Sequence, residues 1–254
     1  MQSVTDYFDF NNQEVFFKIK GEGQPLLLLH GNSVSSEMFR FDFNFFSSHF
    51  KVISFDYPGH GKSGRVKRFR DDFWNFNAKA ASELCNFLGI SSCFAIGTSG
   101  GALVGLNLAI LKQDLIEKLI VDSFLGTYLL PEEADSIVEK RVRSKQSNFL
   151  SQQFWKSQHG SDWEKVLDND LDLMLRVGYE GLPLIIGDLK SIKSKVLGIA
   201  STEDELIPNI DKRLIEVCSQ IQNSQYQIFD FGKHPFMTTQ KEVFRDIAND
   251  FFRN

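Results

Sequence analysis

Cysteine, long apolar runs and excess positive charge are all scarce in this chain of 254 residues. The three cysteines, Cys85, Cys93 and Cys218, cannot all pair and lack the spacing of metal ligands, which excludes a disulfide scaffold. They are expected to be small core residues in a reducing compartment. No apolar run approaches the roughly 20 residues that span a bilayer, and the first residues lack a secretory pattern. We therefore expect a cytoplasmic protein that makes no membrane contact.

The charge balance argues against a polyanionic partner. Lysine and arginine number 28 against 33 aspartates and glutamates, a net charge of −5, whereas nucleic-acid-binding surfaces are basic. The basic cluster at residues 65–70 is offset by Asp71 and Asp72, and this pattern predicts a solvated loop. No nucleic-acid partner is therefore expected.

Short apolar runs alternate with helical patterns along most of the chain. Continuous apolar strands are expected where helices cover both faces of a sheet, so the alternation predicts a mostly parallel α/β sheet. Gly89 is expected to end the helix before the fourth run, and a last amphipathic helix is predicted at 241–252. The predicted strands are VFFKIK, PLLLLH, KVISFD, CFAIG, KLIVDS, KVLGIA and YQIFDF.

The segment 127–183 interrupts this alternation. It contains no convincing strand, but two of its stretches combine helical spacing with polar faces. No repeat or flexible linker separates it from the remainder, so we expect it to pack on the main domain. The sequence thus predicts an α/β core formed by residues 1–126 and 184–254, with a helical cap of residues 127–183 inserted between two strands.

A glycine-rich turn joins the CFAIG run to an apolar helix. Residues 97–101, GTSGG, fit the G-x-S-x-G pattern, in which glycines let a strand pass into a helix in little space and a serine is left at the apex. At the start of a helix the N–H of Gly100 is free, and the helix dipole favours negative charge. Ser99 is the candidate nucleophile and Gly100 a candidate oxyanion donor; the alternative is a helix-capping serine among packing glycines.

A serine hydroxyl that attacks a carbonyl needs a base, a carboxylate that orients the base, and fixed donors for the oxyanion. His234, in the loop after the last predicted strand, is the candidate base. Asp204, a few residues beyond KVLGIA, is the candidate acid, and Asp122 at the end of KLIVDS competes with it. Asn32, in the turn after the strand PLLLLH, is the candidate second oxyanion donor.

The other four histidines are expected to be structural or surface residues and not the catalytic base. His30 and His60 lie in tight loops after strands and are expected to be structural. His49 and His159 lie in polar, helix-like surroundings and are expected at the surface.

Aromatic and apolar side chains in and near the insertion are candidates to line an acyl pocket. Plain packing between the cap and the core is the alternative for each of them. The substrate-binding candidates are Phe124, Phe154, Trp155 and Phe236, with Phe149, Trp163 and Met174 as further members of the set.

These blocks together resemble the α/β-hydrolase fold superfamily over essentially the whole chain. The order Ser99, Asp204, His234 is that superfamily's order of nucleophile, acid and base, and DYPGHGKS at residues 56–63 adds a further matching block. The resemblance implies an eight-stranded, mostly parallel sheet flanked by helices, with the insertion as the cap over the active site. It also favours Asp204 over Asp122 as the acid.

The resemblance implies a serine hydrolase, first of all a carboxylic ester hydrolase that acts on a small or medium acyl ester through an acyl-enzyme. Neither a cofactor nor a metal is implied. Ser99 argues against haloalkane dehalogenases and epoxide hydrolases, because those members of the superfamily carry an aspartate at the position that Ser99 occupies in the glycine-rich turn. Carbon–carbon bond hydrolysis, perhydrolysis and ligand binding by a receptor that keeps the triad stay open, as do the natural substrate and the oligomeric state.

Overall fold

An eight-stranded sheet forms the centre of the computed structural model, which describes residues 3–147 and 149–253. The strands are β1 (Val4–Asp9), β2 (Glu14–Lys20), β3 (Pro25–Leu29), β4 (Lys51–Phe55), β5 (Cys93–Thr98), β6 (Ile116–Asp122), β7 (Lys195–Ser201) and β8 (Ser224–Phe229). Their order is β1-β2-β4-β3-β5-β6-β7-β8, and β2 makes antiparallel pairs with β1 and β4, while the other five pairs are parallel. The predicted mostly parallel, eight-stranded sheet is confirmed.

Helices flank this sheet on both faces. Alternate residues of β3 point to opposite sides, so Leu27 and Leu29 enter one core cluster while Leu26 and Leu28 enter the other. Burial on both faces explains why the central strands are continuous apolar runs. The helices are α1 (Arg40–Phe46), α2 (Phe73–Phe87), α3 (Gly100–Leu111), α4 (Pro131–Gln146), α5 (Phe149–His159), α6 (Trp163–Glu180), α7 (Ile210–Ser219), α8 (Phe236–Thr239) and α9 (Lys241–Arg253).

The first strand was not among those predicted from the sequence. Only Phe8 of the six residues in β1 is buried, because the strand lies at the edge of the sheet. An edge strand of this kind has no continuous apolar run to signal it. The predicted core cysteines are confirmed, since Cys85, Cys93 and Cys218 are buried and unpaired. Within the described ranges, no helix has both the length and the hydropathy that a membrane crossing requires.

The inserted helices α4, α5 and α6 lie between β6 and β7, and charged pairs attach them to the core. Arg65 binds both carboxylate oxygens of Asp162, each at 2.8 Å, and Arg68 Nε lies 3.0 Å from Asp172 Oδ2. Residues 65–70 form a loop with exposed basic side chains, as predicted, and two of these arginines also bind carboxylates of the insertion. Their carboxylate partners lie in the insertion, far along the chain, and the sequence pattern gave no sign of them.

Candidate active site

The turn between β5 and α3 places Ser99 at the carboxyl edge of the sheet. Ser99 has φ of 54° and ψ of −124°, a conformation that few residues other than glycine adopt. A Cβ on Gly97 would lie 2.3 Å from the carbonyl oxygen of Gly101, and a Cβ on Gly101 would lie 2.0 Å from that of Leu29. Glycines are required at both positions because strand, turn and helix backbones touch there.

Ser99, His234 and Asp204 form a continuous hydrogen-bonded row, as their predicted roles require. The Oγ of Ser99 lies 3.0 Å from His234 Nε2, and His234 Nδ1 lies 2.7 Å from Asp204 Oδ2. Asp204 Oδ1 accepts the backbone N–H groups of Leu206 and Ile207, both at 2.9 Å, so its carboxylate is fixed in orientation. In this arrangement Nδ1–H donates to Asp204, and Nε2 is free to accept the Ser99 hydroxyl proton.

Asp122, the competing candidate for the acid, is occupied elsewhere. Its carboxylate accepts hydrogen bonds from Thr98 Oγ1 at 2.7 Å, Ser123 Oγ at 2.9 Å and the N–H of Met237 at 3.1 Å. Burial raises the pKa of Asp122 to about 6, and these hydrogen bonds oppose that rise. Asp122 thus connects β5, the strand that leads into the Ser99 turn, with the segment that follows His234. Asp204, by contrast, contacts the imidazole directly.

The two predicted oxyanion donors are neighbours. A Cβ built on Gly100 would lie 3.0 Å from the backbone nitrogen of Asn32. In the part of the chain that the structure describes, neither of these N–H groups donates to an acceptor. The Asn32 side chain is held by Trp74, whose Nε1–H donates to its Oδ1 at 3.2 Å. Two free N–H groups beside Ser99 suit a developing oxyanion.

A small cavity of about 30 Å³ adjoins Ser99 beneath the inserted helices. A volume of this kind holds roughly two water molecules and is far below that of a ligand pocket. Its roof comes from Ile137 and Arg141 of α4 and from Asp170 and Met174 of α6. The inserted helices therefore lie closed over the serine, and substrate binding requires them or their side chains to move.

None of the four predicted substrate-binding residues lines this cavity. Phe236 is fully buried and stacks on Phe229 with ring centroids 4.6 Å apart, because α8 folds back on the core. Phe124 is buried in the main core, and Trp155 packs in a separate cluster with Trp163. Phe154 points to solvent, with 46% of its surface exposed.

Met174, from the wider predicted set, does line the cavity. Phe149, also from that set, is 70% exposed. Helical spacing groups the lining residues of the insertion, although it does not show which helix face covers the cavity. Ile137 and Arg141 are four residues apart on α4, and Asp170 and Met174 are four apart on α6, so each pair shares one helix face.

The inserted helices also hold the loop that carries Asn32. Ser33, with φ of 59°, donates its hydroxyl to Asp170 Oδ2, and its carbonyl accepts His159 Nε2–H at 2.9 Å. Gln158 Oε1 accepts both the N–H and the hydroxyl of Ser35, at 3.0 and 3.1 Å. The prediction that His159 is a surface residue is wrong. It is only 3% exposed because it lies between this loop and the N–H of Gly61.

The buried histidine His30 should make stability depend on pH. Its Nδ1–H donates to Gly31 O and its Nε2 accepts the N–H of Tyr57, so the neutral ring is the form that fits. Burial lowers the pKa of His30 to about 3, below that of the unfolded chain, so its contribution is complete above pH 6.5 and decreases at lower pH.

From pH 7 to pH 5 the wild type should lose about 2 kcal/mol more unfolding free energy than His30→Gln. Urea unfolding at both pH values measures this difference. His49→Gln, at an exposed histidine, serves as the control and should follow the wild type. Equal pH dependence in all three proteins would contradict the assignment of a neutral, buried His30.

The sheet topology, the serine elbow and the inserted helices define the α/β-hydrolase fold. The chain has this fold. The family described as alpha/beta hydrolase fold matches residues 24–140.

Two curated relatives and one solved structure are similar to the chain. The chain is 29% identical over 171 residues to (E)-2-((N-methylformamido)methylene)succinate hydrolase of Acinetobacter baylyi, a match that covers 65% of this chain and 62% of that protein. It is 25% identical over 260 residues to a proposed carbamate hydrolase, RutD, of Serratia proteamaculans, with 92% and 94% of the two chains covered. An esterase from Exiguobacterium antarcticum has the same fold, with a TM-score of 0.75 at 19% identity and coverage of 95% and 96%.

Proposed function

We propose that the chain is a serine esterase that hydrolyses small carboxylic esters through an acyl-enzyme on Ser99. The observation that carries this proposal is the hydrogen-bonded row from Asp204 through His234 to Ser99, which ends at a cavity beside two free backbone N–H groups. The names of the relatives, two hydrolases and one esterase, support hydrolysis as the reaction.

The geometry suits acyl transfer to water in two steps. In the first, Ser99 Oγ attacks the ester carbonyl while His234 Nε2 takes the hydroxyl proton, and the N–H groups of Asn32 and Gly100 stabilise the oxyanion. His234 then protonates the leaving alcohol, and the acyl-enzyme remains. In the second step His234 takes a proton from water as the water oxygen attacks the acyl carbon. It then gives that proton to Ser99 Oγ as the bond between Oγ and the acyl carbon breaks, and the carboxylic acid leaves. Asp204 keeps Nδ1 protonated and stabilises the imidazolium in both steps.

Turnover of p-nitrophenyl acetate, butyrate and octanoate tests the proposal. We expect acetate and butyrate to be hydrolysed faster than octanoate, because the cavity beside Ser99 is small and closed over by α4 and α6. Carbon–carbon hydrolysis, perhydrolysis and ligand binding without turnover become the better candidates if folded protein releases p-nitrophenol no faster than its Ser99→Ala variant.

Gly100→Ala should remove most of the activity without a change in the catalytic side chains. An alanine Cβ here would lie 1.8 Å from Asn32 Oδ1 and 3.0 Å from the backbone nitrogen of Asn32, so the residue that supplies the second donor must shift. Loss of one oxyanion donor lowers kcat by about 10²- to 10³-fold. Gly64→Ala is the matched control, because the nearest atom to its Cβ, the carbonyl oxygen of Glu14, is 3.5 Å away. A folded Gly100→Ala protein with unchanged kcat on p-nitrophenyl acetate would exclude this pair of donors.

A further inference from the structure

Arg141 is a cation in the wall of the cavity that contains Ser99. It lies on α4, and its side chain lines the cavity together with Gly100 and Met174. The catalytic steps proposed above do not use it. Its presence beside the nucleophile therefore calls for a separate explanation.

No protein group within the described ranges pairs with the Arg141 guanidinium. It forms neither a hydrogen bond nor an ion pair there, in contrast to Arg143 on the same helix, which is exposed and pairs with Glu139. The contact found for Arg141 is with the ring of Trp155, whose centroid lies 5.4 Å from its Cζ. Stacking on a ring occupies the face of a guanidinium and leaves its in-plane N–H donors free. The Arg141 side chain is partly buried, and a guanidinium in a cavity wall that has no protein acceptor keeps its N–H donors available to a ligand.

The nearest acidic group, Asp170, does not take these donors. Its Oδ2 accepts the hydroxyl of Ser33, and its Oδ1 accepts no hydrogen bond from any residue that the structure describes. Burial lowers the pKa of Arg141, and the charge of Asp170 opposes that effect from beyond ion-pair distance. Asp170 thus helps to keep Arg141 charged and leaves its fork of N–H groups open to the cavity.

We propose that Arg141 binds a carboxylate carried by the substrate, so that the preferred substrates are esters of small molecules with a free carboxylic acid. The guanidinium fork matches a carboxylate in two parallel hydrogen bonds, which a neutral group of the same shape does not provide. This inference rests on the proposed esterase function, because the anion site is defined relative to Ser99.

The test compares esters that differ only in charge. Monomethyl esters of malonic, succinic, glutaric and adipic acid are each paired with the methyl ester of the corresponding monoamide. Acetoxyacetate is paired with acetoxyacetamide, so that a carboxylate on the alcohol side of the ester is also sampled. The proteins are the wild type, Arg141→Gln, Arg141→Lys and, as the matched control on the same helix, Arg143→Gln.

In at least one pair, we expect the wild-type kcat/KM for the acid to exceed that for the amide by about 10²-fold, the size of a charge-assisted contact in a site from which the substrate excludes water. Arg141→Gln should lower kcat/KM for the acid far more than for the amide. Arg141→Lys should retain part of the preference, because it keeps the charge but not the fork. Arg143→Gln should behave as the wild type, and melting temperatures verify that each variant is folded.

Two other outcomes separate this inference from the proposed function. If Ser99-dependent hydrolysis is seen but no acid is preferred over its amide, Arg141 is not a carboxylate site and the esterase proposal stands. If no ester is hydrolysed, the esterase proposal fails and calorimetric titration with succinate and glutarate decides the anion site. Binding by the wild type that weakens at least tenfold in Arg141→Gln would support the site, and absence of binding would overturn it.

Discussion

Ser99→Ala is expected to lower kcat for p-nitrophenyl acetate by about 10⁶-fold, the loss found when the nucleophile of a serine triad is removed. The reason is chemical: alanine forms no acyl-enzyme, and only the oxyanion donors and the binding site remain to assist attack by water. The change removes one oxygen atom from a well-packed turn, so the fold should persist.

Steady-state kinetics with the wild type, Ser99→Ala and Ser91→Ala measures this effect. Ser91 is an exposed serine in the connection between α2 and β5, and its replacement should leave kcat unchanged. If Ser99→Ala retained more than about one per cent of wild-type kcat, far above the residual rate of a triad without its nucleophile, the covalent mechanism would be wrong.

Asp204→Asn is expected to lower kcat by about 10⁴-fold, with little effect on stability. An asparagine amide in place of the carboxylate would donate to His234 Nδ1 and force the proton onto Nε2. The imidazole could then no longer accept the hydroxyl proton of Ser99, which lies 3.0 Å from Nε2.

Asp122→Asn is the control for this change, because Asp122 is a buried aspartate near the same loop that does not contact the imidazole. It should keep kcat within about tenfold of the wild type. A small displacement of the loop that carries His234 lowers kcat less than the loss of the imidazole tautomer that accepts the Ser99 proton. The wild type should lose stability relative to Asp122→Asn as the pH rises from about 4 through the raised pKa of about 6, because only the wild type carries the carboxyl that ionises there. The reverse result, with Asp122→Asn inactive and Asp204→Asn active, would exchange the roles of the two aspartates.

The sheet was predictable because its central strands are buried on both faces and are therefore continuous apolar runs. The serine turn was equally visible, since close backbone contacts at Gly97 and Gly101 permit only glycine. The position of His234 in a loop after a late strand was sufficient to propose it as the base. Local sequence determines each of these features, so sequence reasoning identified them.

The roof of the cavity was not predictable, because it depends on how the inserted helices dock. Aromatic composition suggested Trp155 and Phe236, but aromatic side chains pack equally well elsewhere, and these two lie in other clusters. Arg141 and Asp170 appear in the sequence as ordinary charges on helix faces. His159 appeared polar and exposed, although it is buried by contacts with Ser33 and Gly61, about 100 residues or more away in the chain.

The most direct test of the central claim is to identify the residue that forms the covalent intermediate. An ethyl fluorophosphonate should phosphonylate an activated serine and no other. Peptide mass spectrometry should then find a single adduct, on the peptide that contains Ser99, and this adduct should be absent from Ser99→Ala and form much more slowly in His234→Ala. Failure of folded protein to form an adduct, or an adduct on a different residue, would contradict a serine hydrolase mechanism at this site.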